Sequence, residues 1–171
     1  MKLIRTFLTS ALLLGLGAQQ AWSADFTLGP IEMNDPWIRA SVPGQTNGAG
    51  YIQFKSTGAA ADKLISAQSE AATTVELHTV ITENGVAKMQ QVPEIIIPSN
   101  GSVNLAPGGY HIMFLKLTAP FKQDSTIPVV LKFEKAGEIR VNFTVKPSTY
   151  NPGKSGNNAD SHMGHSGGMK H

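Results

Sequence analysis

The sequence contains no cysteine among its 171 residues. This absence excludes disulfide bonds, Cys-type zinc sites, iron–sulfur clusters, Cys nucleophiles and blue-copper centres, which need a thiolate. Charged residues are also few, at 15% against 41% hydrophobic residues, a balance that is sufficient for a folded core. Any soft-ligand chemistry must therefore use the imidazoles of five histidines and the thioethers of six methionines.

The N-terminal segment has the pattern of a secretory signal peptide. Lys2 and Arg5 precede an apolar run from residue 7 to 17, and Ala21 and Ser23 are small residues at the positions that signal peptidase requires. The run is shorter than the ~20 apolar residues that span a bilayer, so we expect cleavage after residue 23, a periplasmic protein and no stable membrane insertion. Cleavage lowers the basic count from 14 to 12, which equals the 12 acidic residues, so no basic field indicates nucleic-acid binding.

The remaining chain predicts an all-β domain over residues 24–147 and a flexible tail over residues 148–171. Short alternating or apolar runs separated by turn residues continue to Lys146, a spacing typical of a sandwich or barrel. After Pro147 the composition changes to Ser, Gly, Asn, Lys, His and Met, which cannot bury a core. The predicted strands are 50–55, 63–67, 73–81, 86–92, 94–97, 102–105, 110–117, 128–134 and 138–146.

One histidine and one methionine stand two residues apart in a predicted strand. The period of two in a strand sends the side chains of His111 and Met113 to the same face, where they could bind one ion together. The turn sequence at residues 107–109 places this pair at the beginning of its strand, near one end of the sandwich.

A second pair follows from the register of a predicted hairpin. Asn84-Gly85 is typical of a two-residue turn with positive φ angles, and it pairs His78 with Gln91. Met89 is then a diagonal neighbour of His78 on the same face, at a Cα distance of about 7–8 Å. We expect both side chains, together with Glu76, to point away from the main core.

Either pair alone has an ordinary structural explanation, because single histidines are usually hydrogen-bonded and strand methionines usually fill the core. Two pairs, in a domain that has no other histidine, favour a shared metal site. Imidazole and thioether without thiolate suit copper, particularly Cu(I), whereas zinc prefers Cys, His and carboxylate ligands. The residues themselves therefore indicate a soft-metal site.

These four residues also resemble a known signature. His78, Met89, His111 and Met113 have the spacing H-x10-M-x21-H-x-M, which resembles the motif of the periplasmic copper chaperones called PCu(A)C. Other residues that share the resemblance are 35–39, Tyr51, Asp62, Leu64, 75–78, 105–113 and 130–133.

The resemblance implies a cupredoxin-like Greek-key β-barrel or sandwich that binds Cu(I) through His78, Met89, His111 and Met113. It also implies delivery of copper to the copper subunit of cytochrome c oxidase, chiefly to its binuclear copper centre, and a Sco-type copper protein as a further partner. The expected protein is a copper chaperone of oxidase assembly, not an enzyme.

The tail contains the remaining histidines and two further methionines. These residues are expected to bind additional copper as Cu(II), which takes nitrogen ligands. The protein is expected to be a monomer or a metal-linked dimer. The residues concerned are His162, Met163, His165, Met169 and His171.

Two functions of other classes stay open at this point. One is a cupredoxin-like electron carrier, which the absence of cysteine disfavours, and the other is a metal-independent structural β-sandwich. An enzyme is the least expected class, because the sequence has no nucleophile motif, no phosphate-binding loop and no recognisable acid/base pair.

Overall fold

The computed structural model describes residues 25–152, which form eleven strands and no helix. The all-β prediction is confirmed, and within these residues no helix is available to cross a membrane. The strands are β1 (Phe26–Leu28), β2 (Ile31–Arg39), β3 (Gly48–Ser56), β4 (Asp62–Gln68), β5 (Ala72–Glu83), β6 (Val86–Gln91), β7 (Ile95–Ile97), β8 (Ser102–Leu105), β9 (His111–Leu117), β10 (Thr126–Phe133) and β11 (Glu138–Lys146).

All strands belong to one mixed sheet that folds over itself. The order is β6-β5-β9-β3-β2-β11-β10-β4-β7, with β1 on β2 and β8 on β3. The β11–β2 pair is parallel, and the other strand pairs are antiparallel. The rings of Phe54 in β3 and Phe133 in β10 meet edge to face with centroids 5.7 Å apart, which marks the core between two layers. The fold is therefore a sandwich whose hydrogen-bonded strand path is open at β6 and β7.

Strand β11 shows why these residues form such a sheet. Val141, Phe143 and Val145 are fully buried, while the residues between them face outward. This alternation gives the strand one apolar face toward the core and one polar face toward water. Strand β9 differs, because Ile112 and Phe114 are fully buried and the residues on its other face, including the buried His111, are also covered or partly covered.

The structure adds two strands at the N-terminus that the sequence pattern did not predict. Strand β2 continues across Pro36, and the register shifts between Asn34 and Trp37. Asp35 lies at this irregularity with φ of 45°. Proline lacks the N–H that the ladder needs, so a strand prediction stops at this position, but a β-bulge lets the real strand continue.

One other prediction differs in detail. The strand predicted over residues 110–117 begins at His111 in the structure, and Tyr110 is 38% exposed. The physical reason is the preceding turn, in which Gly108 has φ of 86° and the amide of Gly109 donates to the carbonyl of Ala106.

The chain continues to contact the domain beyond residue 147. Nη1 of Arg39 donates to the carbonyl of Ser148 at 2.9 Å, and the ring of Tyr150 meets that of Trp37 edge to face at 4.9 Å. The first residues after β11 thus lie against β2. The predicted signal peptide and the five predicted metal ligands of the tail lie outside the described residues.

Candidate metal centre

The hairpin formed by β5 and β6 holds the first predicted pair. Its turn residues Asn84 and Gly85 have φ of 52° and 77°, as a two-residue turn of this type requires. His78 pairs with Gln91, and Met89 pairs with Val80, so the predicted register is confirmed. His78 and Met89 are therefore diagonal neighbours on one face.

Strand β9 brings the second pair to the first. It lies beside β5 in the sheet, and His111 stands directly opposite His78. The two imidazole centroids are 5.7 Å apart, and the ring planes are inclined by 53°. Two residues further along the same pair of strands, Met113 stands opposite Glu76. The long-range β5–β9 pairing thus converts two separate His/Met pairs into one cluster.

The two methionines open onto the same cavity. Met89 and Met113 line a cavity of about 420 Å³ together with residues 44–49, which include the end of the β2–β3 loop and the first two residues of β3. Because Met89 comes from the edge strand β6 and Met113 from the central strand β9, the cavity spans the face that also carries the two histidines.

Exposure differs strongly within the cluster. His111 is only 3% exposed, the side chain of His78 is 14% exposed, and Met89 is 55% exposed. His78 and Met89 were expected to point away from the main core, and neither belongs to the core cluster. Met89 is open to solvent, whereas both imidazoles are covered. The reason is that β9 lies between β5 and β3, and the ring of Tyr51 in β3 lies 6.4 Å from that of His111.

Each imidazole uses one nitrogen in a hydrogen bond and leaves the other free. Nε2 of His78 lies 2.7 Å from Oε2 of Glu76, and Nδ1 of His111 lies 3.0 Å from the carbonyl oxygen of Gly109. Nδ1 of His78 and Nε2 of His111 are buried and have no hydrogen-bond partner. In a neutral imidazole the nitrogen that faces an oxygen acceptor carries the proton, so the lone pairs lie on the two unpartnered atoms.

These free nitrogens fit a metal ion. Buried polar atoms are nearly always hydrogen-bonded, so two unpartnered atoms on facing residues need an explanation. Metal-binding histidines typically donate their other N–H to a carboxylate or a backbone carbonyl, which is the arrangement found at both residues. The donor set of two neutral imidazoles and two thioethers matches the preference of Cu(I).

Burial also keeps His111 in the neutral form that binds metals. Desolvation lowers the pKa of His111, and the neighbouring His78 acts in the same direction, while the hydrogen bond to Gly109 opposes them. A lowered pKa means that less acid-induced protonation competes with metal binding at this nitrogen.

The carboxylates within residues 25–152 do not offer a rival centre. Between residues 25 and 152, no group of three or more His, Asp or Glu side chains could hold a metal ion. The candidate centre therefore depends on its methionines.

The sequence pattern placed Glu76 on the outward face but missed its contact with His78. It also missed the carbonyl of Gly109 and the ring of Tyr51. The Glu-x-His spacing in a strand was the available signal for the first contact, because residues two apart share a face. The Gly109 and Tyr51 contacts depend on the turn and on the β3–β9 pairing, and no local pattern indicates them.

Solved structures share this fold and this type of domain. The copper-bound PCuAC domain from PmoF2 is 25% identical, with a TM-score of 0.62 over 71% of this chain and 97% of that domain. Apo-DR1885 from Deinococcus radiodurans is 26% identical, with a TM-score of 0.56 over 88% of this chain and 99% of that one. Its Cu(I) form is 27% identical, with a TM-score of 0.55 over 77% and 83%. The fold and these relatives define a PCuAC-type domain, and the resemblance noted in the sequence is confirmed.

The family follows from the sequence comparison. The model of the LpqE-like family, described as "Putative lipoprotein LpqE-like", matches residues 31–145, and the chain belongs to this family. A protein of Leifsonia xyli subsp. xyli named "Putative lipoprotein Lxx21020" is 31% identical over 152 residues, which cover 85% of this chain and 90% of the relative. The protein RP573 of Rickettsia prowazekii is 28% identical over 126 residues, which cover 71% and 68%.

The comparisons also bear on the predicted cofactor. Two of the solved relatives are named as copper-bound or Cu(I) forms, so the prediction of copper agrees with the metal found in this type of domain.

Proposed function

We propose that this protein is a periplasmic copper chaperone that binds one Cu(I) ion through His78, Met89, His111 and Met113. The observation that carries the proposal is the pair of buried nitrogens without partners, Nδ1 of His78 and Nε2 of His111, on rings 5.7 Å apart. Each ring is fixed by a hydrogen bond on its other nitrogen, and both methionines line the adjoining cavity.

The donor set favours Cu(I) over other ions. All four proposed ligands are neutral, and thioethers are soft donors that bind Cu(I) better than Zn²⁺. The absence of cysteine also means that the site cannot be lost to disulfide formation in an oxidising compartment.

The difference in exposure suggests how the cargo leaves. Met89 is 55% exposed and lies on β6, an edge strand whose six residues are all exposed. An incoming thiolate can therefore replace Met89 first, while His111, at 3% exposure, releases the ion last. The proposed acceptors are the copper subunit of cytochrome c oxidase, at its binuclear centre, and a Sco-type protein.

The proposal also assigns roles to the two ends of the chain. Residues 1–23 direct export to the periplasm, and residues 24–147 form the copper-binding domain. His162, Met163, His165, Met169 and His171 bind additional copper as Cu(II). Relatives named as lipoproteins support export, although none of the 171 residues here is a cysteine that could carry a lipid.

The test is a set of single substitutions measured by competition for Cu(I) with a chromophoric chelator. We expect His78→Ala, Met89→Ala, His111→Ala and Met113→Ala each to weaken Cu(I) binding by more than ~100-fold, since even the loss of a residue that only hydrogen-bonds to a metal ligand costs 10–100-fold. Met33→Leu is the matched control, because Met33 is fully buried in the core and should not affect affinity. Wild-type affinity in all four variants would refute the site.

The role of the tail needs a separate experiment. The five tail residues are replaced by serine in the full chain, and the Cu(II) stoichiometry is measured. The proposal expects fewer bound Cu(II) ions and unchanged Cu(I) affinity at the core site. An unchanged Cu(II) stoichiometry would remove the tail from the proposal.

A further inference from the structure

We propose that Glu76 is a positioning residue that selects Nδ1 of His78 as the copper-binding atom. This inference rests on the proposed function, since it assigns a role at the same site. Glu76 and His78 are two residues apart in β5, so both side chains lie on the face that carries the cluster. Oε2 of the Glu76 carboxylate lies 2.7 Å from Nε2 of His78.

The chemistry of the contact determines which nitrogen is free. An ionised carboxylate only accepts hydrogen bonds, so the proton of the neutral imidazole must lie on Nε2. The lone pair is then confined to Nδ1, the buried atom that has no partner. Without the carboxylate, the imidazole could carry its proton on either nitrogen and the ring could turn, so copper would meet a mixture of donor atoms.

The two histidines are positioned by different means. His111 donates from Nδ1 to the backbone carbonyl of Gly109, which leaves Nε2 free. A backbone carbonyl is retained in every side-chain variant, whereas the contact at His78 depends on one side chain. Glu76 is thus the position at which the donor atoms of the cluster can be altered without removing a ligand.

The exposure and register of Glu76 favour a positioning role over direct binding of copper. The side chain of Glu76 is 23% exposed and stands opposite Met113 across the β5–β9 pair. Oε2 of Glu76 already contacts Nε2 of His78, which is not the nitrogen that carries the free lone pair. The carboxylate also supplies a negative charge near the bound cation, and a Gln substitution distinguishes this charge from the hydrogen bond.

The experiment uses the full chain labelled with ¹⁵N at histidine. Long-range ¹H–¹⁵N spectra identify the protonated nitrogen of His78 before and after one equivalent of Cu(I), which is diamagnetic. In the wild type we expect a single Nε2–H tautomer, with the Nδ1 resonance shifted by copper. In Glu76→Ala we expect a tautomer mixture and a 10–100-fold weaker Cu(I) affinity. Glu76→Gln keeps an acceptor oxygen, so it should retain binding through Nδ1 with an intermediate loss.

Glu83→Gln is the matched control on the same strand. Glu83 forms an exposed ion pair with Lys88, so its substitution should change neither the tautomer nor the affinity. Wild-type affinity in Glu76→Ala, or copper binding through Nε2 in the wild type, would overturn the inference. If the wild type bound no Cu(I), the proposed function would fail. The tautomers of His78 in the metal-free protein would still test the role of Glu76. A tautomer mixture in Glu76→Ala would support that role, and an unchanged single tautomer would refute it.

Discussion

Asp62 and His111 are both buried polar side chains of this domain, and their surroundings are opposite in character. Asp62 is 5% exposed and accepts three backbone N–H bonds, from Lys63 at 2.7 Å and from Lys135 and Ala136 at 2.9 Å. His111 is 3% exposed, but its Nε2 has no partner. Similar burial therefore accompanies a closed hydrogen-bond network at one residue and an unpartnered nitrogen at the other.

The difference shows how a structural polar group can be told from a ligand. Closed networks hold the chain, because every donor and acceptor would be unsatisfied without them. Asp62, at the start of β4, ties down the turn that follows β10. A buried atom without a partner adds nothing to the stability of the metal-free domain, so its presence needs another explanation, and the proposed copper site offers one.

The largest effect is expected on stability at Asp62. In Asp62→Ala three part-buried backbone N–H groups lose their acceptor, and a hydrogen bond to a charged group contributes about 1.5–3 kcal/mol. The free energy of unfolding, measured in urea, should therefore fall by about 3 kcal/mol or more. Cu(I) affinity of the folded protein should not change, and a selective loss of affinity would break the comparison.

The complementary change is expected at His111. In His111→Leu the side chain keeps roughly its bulk, and removal of the unpartnered nitrogen offsets the loss of the hydrogen bond from Nδ1 to the carbonyl of Gly109, which is worth about 1 kcal/mol. The free energy of unfolding of the metal-free protein should therefore stay within about 1 kcal/mol of the wild type. Cu(I) affinity should fall by more than ~100-fold because a ligand is lost. A strong loss of metal-free stability would mean that His111 is structural like Asp62.

Smaller effects are expected at two turn glycines, one in each region. Gly85 has φ of 77° in the hairpin that carries Met89, and Gly137 has φ of 98° in the turn beside Asp62. An added Cβ meets no atom within 4 Å at either position, so alanine introduces only backbone strain, about 1–2 kcal/mol.

The two alanine variants should separate the regions. Gly85→Ala should weaken Cu(I) binding by up to about tenfold, since 1.4 kcal/mol corresponds to a factor of ten and the strain acts on the strand that holds Met89. Gly137→Ala should lower the melting temperature and leave Cu(I) affinity unchanged. Equal effects of both variants on affinity would show that general stability, and not the position of Met89, controls binding.

Local patterns were sufficient for part of this structure. Alternation predicted strand β11, and Asn84-Gly85 predicted the hairpin that makes His78 and Met89 neighbours. Strand β2 was missed because Pro36 and the bulge at Asp35 interrupt its pattern. These successes and failures have the same origin, since a local signal reports only on the residues adjacent to it in the chain.

The assembly of the site depends on pairing between distant segments. His78 and His111 meet because β5 pairs with β9, and nothing in either segment specifies this pairing. The burial of His111 follows from the position of β9 between β5 and β3. The spacing that resembles the PCu(A)C motif supplied the link that local patterns lack, because such a resemblance implies a fold that brings these residues together.

The most direct test is X-ray absorption of the full chain loaded with one equivalent of Cu(I), with the five tail residues replaced by serine. The proposed site predicts two nitrogen and two sulfur neighbours around copper, and one sulfur fewer in Met89→Leu. A copper environment without sulfur, or one that Met89→Leu leaves unchanged, would contradict binding by His78, Met89, His111 and Met113.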